Sequence, residues 1–120
     1  MARALRTVPG GATVRVFLGT WCGDSRREVS RFWKALDAAG DSVPFAAEYV
    51  AVGRDMQAPG ELAAGADLHF VPTFVVVRDG DEIGRVIELP EFSIEQDLLS
   101  LLRGDRRGVL SGRPDLASRN

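Results

Sequence analysis

The stretch "ATVRVFLGTWCGDSRREVSRFW", residues 12–33, decides the fold because its hydrophobic period changes part-way along. Residues 12–19 are rich in β-branched side chains and predict a buried strand. Residues 24–39 instead place apolar side chains at i, i+3, i+4 and i+7, which is typical of one helix face. These apolar side chains are Val29, Phe32, Trp33 and Leu36, and we expect the two aromatic ones to lie in the core. The change of period puts Cys22, the only cysteine of the chain, between a strand and a helix.

A second apolar stretch, residues 44–52, predicts a strand that completes a right-handed strand–helix–strand unit. Residues 73–79 and 81–89 predict an antiparallel hairpin, because an Asp-Gly turn joins them. Gly84 lies inside the second strand of this hairpin, where a glycine is typical of a bulge.

The last helix is predicted to begin at Ser93, which forms a capping box with Gln96 three positions later. A short helix at most is predicted over residues 61–68. The order is therefore β-α-β, a short helix, then β-β-α. This order predicts an α/β fold in which helices flank both faces of a mixed four-stranded sheet. We expect the first strand to be central, with the second strand parallel to it and the hairpin on its other side.

One domain is predicted, because 120 residues is an ordinary length for a single domain. We place the domain at residues 11–103, with residues 1–10 as an N-terminal extension. Residues 104–120 are polar and predict a C-terminal tail that is disordered or lies loosely on the surface. Residues 1–11 contain no apolar segment typical of a signal peptide, so we expect a cytoplasmic protein.

The charge and the composition disfavour several classes of function. A net charge of -2 gives no basic excess for binding nucleic acid, and no apolar run is long enough to span a membrane. A single cysteine excludes an internal disulfide and a zinc site with two thiolate ligands. Glu48, Asp55 and Asp67 show no spacing typical of a metal site. We therefore expect no metal, no cofactor, and neither a nucleic acid nor a membrane as partner.

The position of Cys22 suits a reactive thiol. The carboxyl end of a parallel strand beside a helix N-terminus is a common site in α/β folds. The unpaired N–H groups of the first helical turn and the helix dipole both stabilise a thiolate, which is the nucleophilic form. We expect Ser25, one turn later, to donate a hydrogen bond to the sulfur. Arg26 and Arg27 also favour the anion, whereas Asp24 opposes it. The alternative is an inert cysteine that packs as a small hydrophobic side chain.

Two motifs resemble those of the thioredoxin superfamily. The sequence "WCGDS", residues 21–25, is similar to the family's active-site motif W-C-x-x-C, with serine in place of the second cysteine. The sequence "VPTFVVVRDGDEIGRV", residues 71–86, resembles the family's segment in which a cis-proline precedes the hairpin. The order of elements agrees as well. The resemblance therefore covers about residues 11–103 and implies a thioredoxin-like fold.

The resemblance implies a role for each residue of the first motif. Cys22 corresponds to the catalytic nucleophile. Ser25 stands in place of the resolving cysteine, whose chemistry a hydroxyl group cannot perform. Trp21 and Gly23 correspond to the residues that flank the nucleophile and belong to the implied substrate-binding set.

The second motif implies further contacts with a substrate. Pro72 corresponds to the cis-proline that packs against the nucleophile, and Val71 to the residue whose backbone pairs with an extended client peptide. One departure from the family is Val16, which stands where thioredoxins usually carry a buried acid. The proton acceptor of dithiol turnover is therefore missing together with the second sulfur. His69 is implied to lie near the rim of Cys22, although a loop histidine without a chemical role is the favoured interpretation.

The chemistry left to one sulfur predicts a monothiol protein for thiol–disulfide exchange. Cys22 attacks a disulfide and forms a mixed disulfide, which Ser25 cannot release, so an external thiol must resolve it. The expected partners are protein or low-molecular-weight thiols and disulfides. If the protein is an enzyme, it is a thiol–disulfide oxidoreductase that lacks its resolving cysteine. The alternative is a redox-inactive thioredoxin-fold module that binds proteins or peptides. A glutathione-dependent iron–sulfur site, as in monothiol glutaredoxins, is disfavoured because those proteins carry a different site sequence.

Overall fold

A mixed sheet of five strands forms the centre of the chain in the computed structural model, which describes residues 2–40, 43–57 and 66–116. In chain order, the elements are a 3-10 helix Ala2–Arg6, β1 Ala12–Leu18, α1 Gly23–Ala39, β2 Phe45–Ala51, β3 Thr73–Arg78, β4 Asp81–Ile87, α2 Ile94–Arg103 and β5 Gly108–Leu110. The strands lie in the order β2-β1-β3-β4-β5.

The strand β1 has a partner on each side. It pairs in parallel with β2 and antiparallel with β3, and β3 continues through a tight turn into antiparallel β4. The α/β class, the parallel neighbour of β1 and the antiparallel hairpin are therefore confirmed. The sheet has one strand more than the four predicted.

Each face of the sheet carries its own hydrophobic cluster, because successive side chains of a strand point to opposite faces. Val14 and Val16 of β1 belong to the larger cluster, which both α-helices share. Phe17 and Val75 belong to the smaller cluster on the other face, and the half-buried Cys22 packs against it. The smaller cluster therefore supports the side of the sheet on which the thiol lies.

Both α-helices lie on one face of the sheet, since they contact each other and share the larger cluster. The prediction that helices flank both faces is therefore wrong for the described residues. The short helix predicted over residues 61–68 falls mostly outside the described residues, and residues 66–68 form no regular element. Within the described ranges, no helix is both long enough and apolar enough to cross a membrane.

The disordered or loose tail predicted over residues 104–120 is wrong for its first half. Gly108–Leu110 forms β5, which pairs in parallel with β4. Leu110 is 1 % exposed and lies in the core, and the Ser111 hydroxyl donates a hydrogen bond to the Ile87 carbonyl at 2.9 Å. A three-residue strand among polar neighbours is too short to show a hydrophobic period, which is why the pattern does not reveal it.

The predicted N-terminal extension, residues 1–10, also contributes to the fold. Leu5 is 2 % exposed, and both Leu5 and Val8 belong to the larger hydrophobic cluster. The 3-10 helix that carries Leu5 contacts α1. The folded unit therefore begins before residue 11.

The aromatic pair of α1 divides between core and surface. Phe32 is buried as predicted, but Trp33 is 51 % exposed, so its predicted core position is wrong. Trp33 follows Phe32 by about 100° around the helix axis. It packs edge-on against Tyr49 of β2, with the ring centroids 6.1 Å apart. The buried face of α1 consists of Ser25, Glu28, Val29, Phe32, Ala35 and Ala39.

The start of α2 and the bulge of β4 follow the sequence pattern. Ser93 Oγ accepts a hydrogen bond from the Gln96 N–H at 3.0 Å, as in a capping box. Ile83 is the extra residue of β4, next to Gly84. A Cβ on Gly84 would lie 2.5 Å from the carbonyl oxygen of Gly108, so the glycine allows β5 to approach β4 closely.

Replacing Leu110 tests whether the C-terminal segment is part of the cooperative fold. We expect Leu110→Ala to lower the free energy of unfolding by about 2–4 kcal/mol, because the substitution leaves a cavity in the core. Urea denaturation measures this change. The control, Leu116→Ala, alters a half-buried side chain outside the sheet and should lower the free energy by less than about 1 kcal/mol. Equally small effects of both variants would show that β5 does not stabilise the protein.

Candidate functional site

Cys22 occupies the junction between β1 and α1. Its backbone is extended, with φ -105° and ψ 121°, and it is the N-cap of α1. The Cys22 N–H donates to the Gly19 carbonyl at 3.0 Å, and the Cys22 carbonyl accepts from the Arg26 N–H at 3.1 Å. Its side chain makes no capping hydrogen bond, so the thiol is not engaged with the first turn of the helix. The sequence therefore places a free thiol at the start of the helix, as predicted.

The second motif, residues 71–86, contacts the Cys22 thiol through its first residue, Val71. The Val71–Pro72 peptide bond is cis, and both residues are buried. The Cys22 thiol lies 3.6 Å from the Val71 carbonyl oxygen, to which it donates a hydrogen bond, although the two residues are 49 positions apart. No described residue accepts a hydrogen bond from the Val71 N–H. The two motifs thus form one site, and one backbone donor beside the sulfur has no partner in the described part of the chain.

Trp21 is held in place by three neighbours that the sequence pattern does not reveal. Its indole Nε1–H donates to the Val52 carbonyl at 3.0 Å. A Cβ on Gly19 would lie 2.6 Å from the indole carbon Cε2, so the indole occupies space that only a glycine leaves open. The guanidinium of Arg54 lies over the indole ring, 5.2 Å from its centroid. Trp21 is therefore a fixed wall of the site rather than a mobile surface side chain.

Ser25 does not donate a hydrogen bond to the sulfur, contrary to the prediction from the sequence. It is 0 % exposed on the inner face of α1, and its Oγ accepts a hydrogen bond from the Gly19 N–H at 3.1 Å. No hydrogen bond joins Ser25 to Cys22 among the described residues. The expected donation to the sulfur is therefore wrong. The hydroxyl group ties the end of β1 to the first turn of α1 instead.

Some of the charged side chains at the start of α1 form ion pairs with one another. Arg27 pairs with Asp24 at 2.9 Å and with Glu28 at 2.8 Å. Its hydrogen bonds to Glu28 and then to Asp24 raise the pKa of Arg27. The predicted support of Arg27 for a thiolate is therefore weakened. Arg26 is exposed, and its Nη2 lies 4.0 Å from the Cβ position of the exposed Gly23.

Val16 stands at the position where thioredoxins usually carry a buried acid. Its side chain is completely buried in the larger cluster and carries no acidic group. The buried acid of this region is Glu28 on α1, which is 1 % exposed and which the sequence analysis does not single out. Its Oε2 accepts from Arg27 and Arg31, at 2.8 and 3.0 Å, while Oε1 has no partner in the described part of the chain. The feature of the sequence that could have indicated this buried acid is the pair Arg27 and Arg31, one residue before and three residues after Glu28.

The loop before Val71 is anchored from β4. The Arg85 guanidinium donates to the carbonyls of Ala66 and Asp67, at 2.8 and 3.2 Å, and also pairs with Glu82 at 2.6 Å. The hydrogen bond to Glu82 raises the pKa of Arg85. Arg85 therefore fixes the chain that leads to the cis peptide bond.

His69 lies in the same loop as an exposed side chain. Its Nε2 is 2.7 Å from an Asp67 carboxylate oxygen, and no hydrogen bond joins it to Cys22 among the described residues. No group of three or more His, Cys, Asp or Glu side chains in the described ranges has a geometry suited to a metal ion.

Comparison with solved structures shows a thioredoxin fold. Thioredoxin from Fasciola hepatica is 25 % identical and covers 81 % of this chain and 83 % of its own, with a TM-score of 0.53. A mutant thioredoxin from Halobacterium salinarum is 19 % identical and covers 82 % and 78 % of the two chains, with a TM-score of 0.57. A chain from a structure of thiol resolution in yeast mitochondrial 1-Cys peroxiredoxin via glutathione/thioredoxin systems is 22 % identical. It covers 86 % and 85 % of the two chains, with a TM-score of 0.59. No protein-family model and no curated protein matches the sequence.

The chain has a thioredoxin fold, which these neighbours share. The Trp-Cys site at the start of α1 is consistent with the thioredoxin superfamily. At the level of the family, the similarity to the Fasciola thioredoxin supports a thiol–disulfide redox protein.

Replacing Ser25 separates a structural role from a catalytic one. Ser25→Ala leaves the buried Gly19 N–H without its acceptor, which we expect to cost about 1–3 kcal/mol of stability. The rate at which iodoacetamide alkylates Cys22 should stay close to that of the wild type. Ser30→Ala, an exposed change on the same helix, is the control and should alter neither quantity. A large fall in alkylation rate at unchanged stability would instead support a Ser25–sulfur hydrogen bond.

Proposed function

We propose that the protein is a monothiol thiol–disulfide exchange protein, in which Cys22 forms mixed disulfides that an external thiol resolves. The observation that carries this proposal is the 3.6 Å contact between the Cys22 sulfur and the Val71 carbonyl. It assembles the nucleophile and the cis-proline segment at a helix N-terminus, in a chain with no second cysteine.

The first step of the exchange needs only the groups at this site. The Cys22 thiolate attacks one sulfur of a disulfide, a new bond forms between the two sulfurs, and the original S–S bond breaks. The leaving thiolate departs with the electron pair of the broken bond and takes a proton from water. Cys22 is thereby oxidised to the mixed disulfide, and the leaving half of the substrate is reduced to a thiol.

The second step requires a thiol from outside the chain. Ser25 supplies no sulfur and is fully buried with its hydroxyl bound to Gly19, so it cannot attack the mixed disulfide. An external thiolate must therefore attack the client sulfur of the mixed disulfide. A new S–S bond forms between these two sulfurs, the bond to Cys22 breaks, and Cys22 leaves as the thiolate with the electron pair. The apolar Val16 offers no proton acceptor for an internal second step, which agrees with this division of labour.

The residues around the sulfur suit contact with a client, which we propose to be a protein or a low-molecular-weight thiol or disulfide. The Val71 N–H, which no described residue engages, is available to the backbone of an extended segment. Gly23, next to the half-buried Cys22, is exposed, and the fixed Trp21 indole packs in the same cluster as the thiol. We propose that Pro72, which the cis peptide bond joins to Val71, also faces the client. Cys22 serves as the catalytic nucleophile in this proposal.

Incubation with oxidised glutathione tests the exchange. We expect intact-mass measurement near neutral pH to show the gain of one glutathionyl group, which persists after removal of excess reagent. The gain should disappear in Cys22→Ser and should reverse when reduced glutathione is added. A wild-type protein that gains no mass under these conditions contradicts the proposal.

A redox-inactive binding module is the second candidate. The buried Val16 and the engaged hydroxyl of Ser25 favour it, because neither position supplies the acid or the second sulfur that dithiol turnover uses. A pull-down under reducing conditions compares the wild type with Cys22→Ala. Equal recovery of the same partners by both proteins supports the binding module. Recovery only by the wild type, released by added thiol, supports exchange through the sulfur.

A further inference from the structure

The surface around Cys22 carries two arginines that have no acidic partner among the described residues. Arg54 is exposed and lies over the Trp21 indole, 5.2 Å from the ring centroid. Arg26 lies in the first turn of α1, three residues after Gly23, and positions at this spacing share one side of a helix. Its Nη2 lies 4.0 Å from the Cβ position of Gly23, so the guanidinium turns back toward the helix start. The two cations therefore lie beside the two residues that flank Cys22, Arg54 beside Trp21 and Arg26 beside Gly23.

The contact with the indole positions Arg54 without using its hydrogen bonds. A cation–π attraction acts through the face of the ring, so the N–H groups at the edge of the guanidinium stay available. The indole is itself fixed by its hydrogen bond to Val52, which limits the movement of the stacked group. A preorganised donor loses less conformational entropy when it binds an anion.

The acids close to these arginines in sequence already have partners. Asp24 pairs with Arg27 at 2.9 Å, and Asp55 accepts a main-chain N–H two residues later at 3.0 Å. No ion pair among the described residues includes Arg26 or Arg54. Within the described ranges, neither of these two guanidinium groups is neutralised by an ion pair.

The arginine over the other aromatic ring of the region is different. Arg113 lies over Phe70, 5.0 Å from the ring centroid, but it also pairs with Glu88 and Asp115 at 2.8 and 2.9 Å. Its charge is thus balanced within the chain. Of the two arginines that lie over aromatic rings, only Arg54, beside Trp21, therefore has no acidic partner among the described residues.

We infer, on the basis of the proposed function, that Cys22 exchanges preferentially with thiols and disulfides whose sulfur is flanked by carboxylates. Guanidinium groups bind carboxylates through charge-assisted and often bidentate hydrogen bonds. Arg26 and Arg54 are positioning residues that bring the acidic partner to the sulfur. The bond exchange itself is that of the proposed function, in which Cys22 is oxidised and the leaving thiol is reduced.

Three small disulfides of different charge test this selectivity: oxidised glutathione is anionic, hydroxyethyl disulfide is neutral and cystamine is cationic. Intact mass gives the rate of mixed-disulfide formation for each. In Arg26→Gln/Arg54→Gln, we expect the rate ratio of glutathione to hydroxyethyl disulfide to fall about threefold to tenfold. The ratio of cystamine to hydroxyethyl disulfide should rise. In 1 M salt, where the screening length is about 3 Å, the wild-type ratios should approach those of the variant.

Matched variants separate local charge from net charge and from damage to the fold. Arg26→Lys/Arg54→Lys keeps both charges and should keep most of the wild-type selectivity. Arg103→Gln/Arg107→Gln removes two exposed charges near Arg78, which pairs with Ala12 at the end of β1 opposite the thiol. This control should leave the ratios unchanged. Equal ratios for the wild type and Arg26→Gln/Arg54→Gln overturn the inference.

A second arm identifies the source of the carboxylates. Short cysteine peptides with either Glu or Lys beside the cysteine are offered as symmetrical disulfides. If the Glu peptide reacts faster than both the Lys peptide and oxidised glutathione, the carboxylates belong to a protein client. If oxidised glutathione reacts faster than the Glu peptide, they belong to a small thiol. If the neutral disulfide reacts but no charge dependence is seen, the inference fails and the proposed function stands. If no disulfide modifies Cys22, both fail.

Discussion

The site depends on Gly19, the residue that ends the first strand and meets the first turn of α1. Its carbonyl accepts the Cys22 N–H at 3.0 Å, and its N–H donates to Ser25 Oγ at 3.1 Å. Its missing side chain leaves the space that the Trp21 indole fills. Because these contacts converge on one residue, the direction of the helix and the positions of the indole and the thiol are set together. This arrangement of β1 and α1 around Gly19 places the Cys22 thiol within hydrogen-bond distance of the Val71 carbonyl.

The opposite wall of the site depends on contacts with β4 rather than on the Trp-Cys motif. Arg85 holds the carbonyls of residues 66 and 67, and the Glu88 N–H donates to the Pro72 carbonyl at 2.7 Å. The Thr73 hydroxyl donates to the Phe70 carbonyl at 2.7 Å. The backbone around the cis peptide bond is therefore fixed on both sides before any client arrives. A fixed backbone suits recognition of an extended segment, since less order must be gained on binding.

The sequence predicts those parts of the protein that depend on local period. The switch of period around Cys22, the Asp-Gly hairpin and the start of the last helix at Ser93 each involve neighbours in the chain, and each prediction agrees with the structure. The buried bond of Ser25 is not visible in the sequence, because it depends on the angle between β1 and α1. The strand at residues 108–110 gains its stability from β4, more than twenty residues away, and its own residues show no pattern.

The bond to Gly19 also explains why serine is a suitable residue where thioredoxins have a second cysteine. An apolar side chain at position 25 would leave a buried N–H unsatisfied, whereas the hydroxyl satisfies it and removes the resolving sulfur. Serine at position 25 therefore lacks the second sulfur but keeps the hydrogen bond that joins β1 to α1. In the proposed exchange, the disulfide approaches the open side of Cys22, because the Val71 carbonyl occupies the other. The resolving thiol then attacks the client sulfur from the side opposite Cys22, along the path by which the first leaving thiol departed.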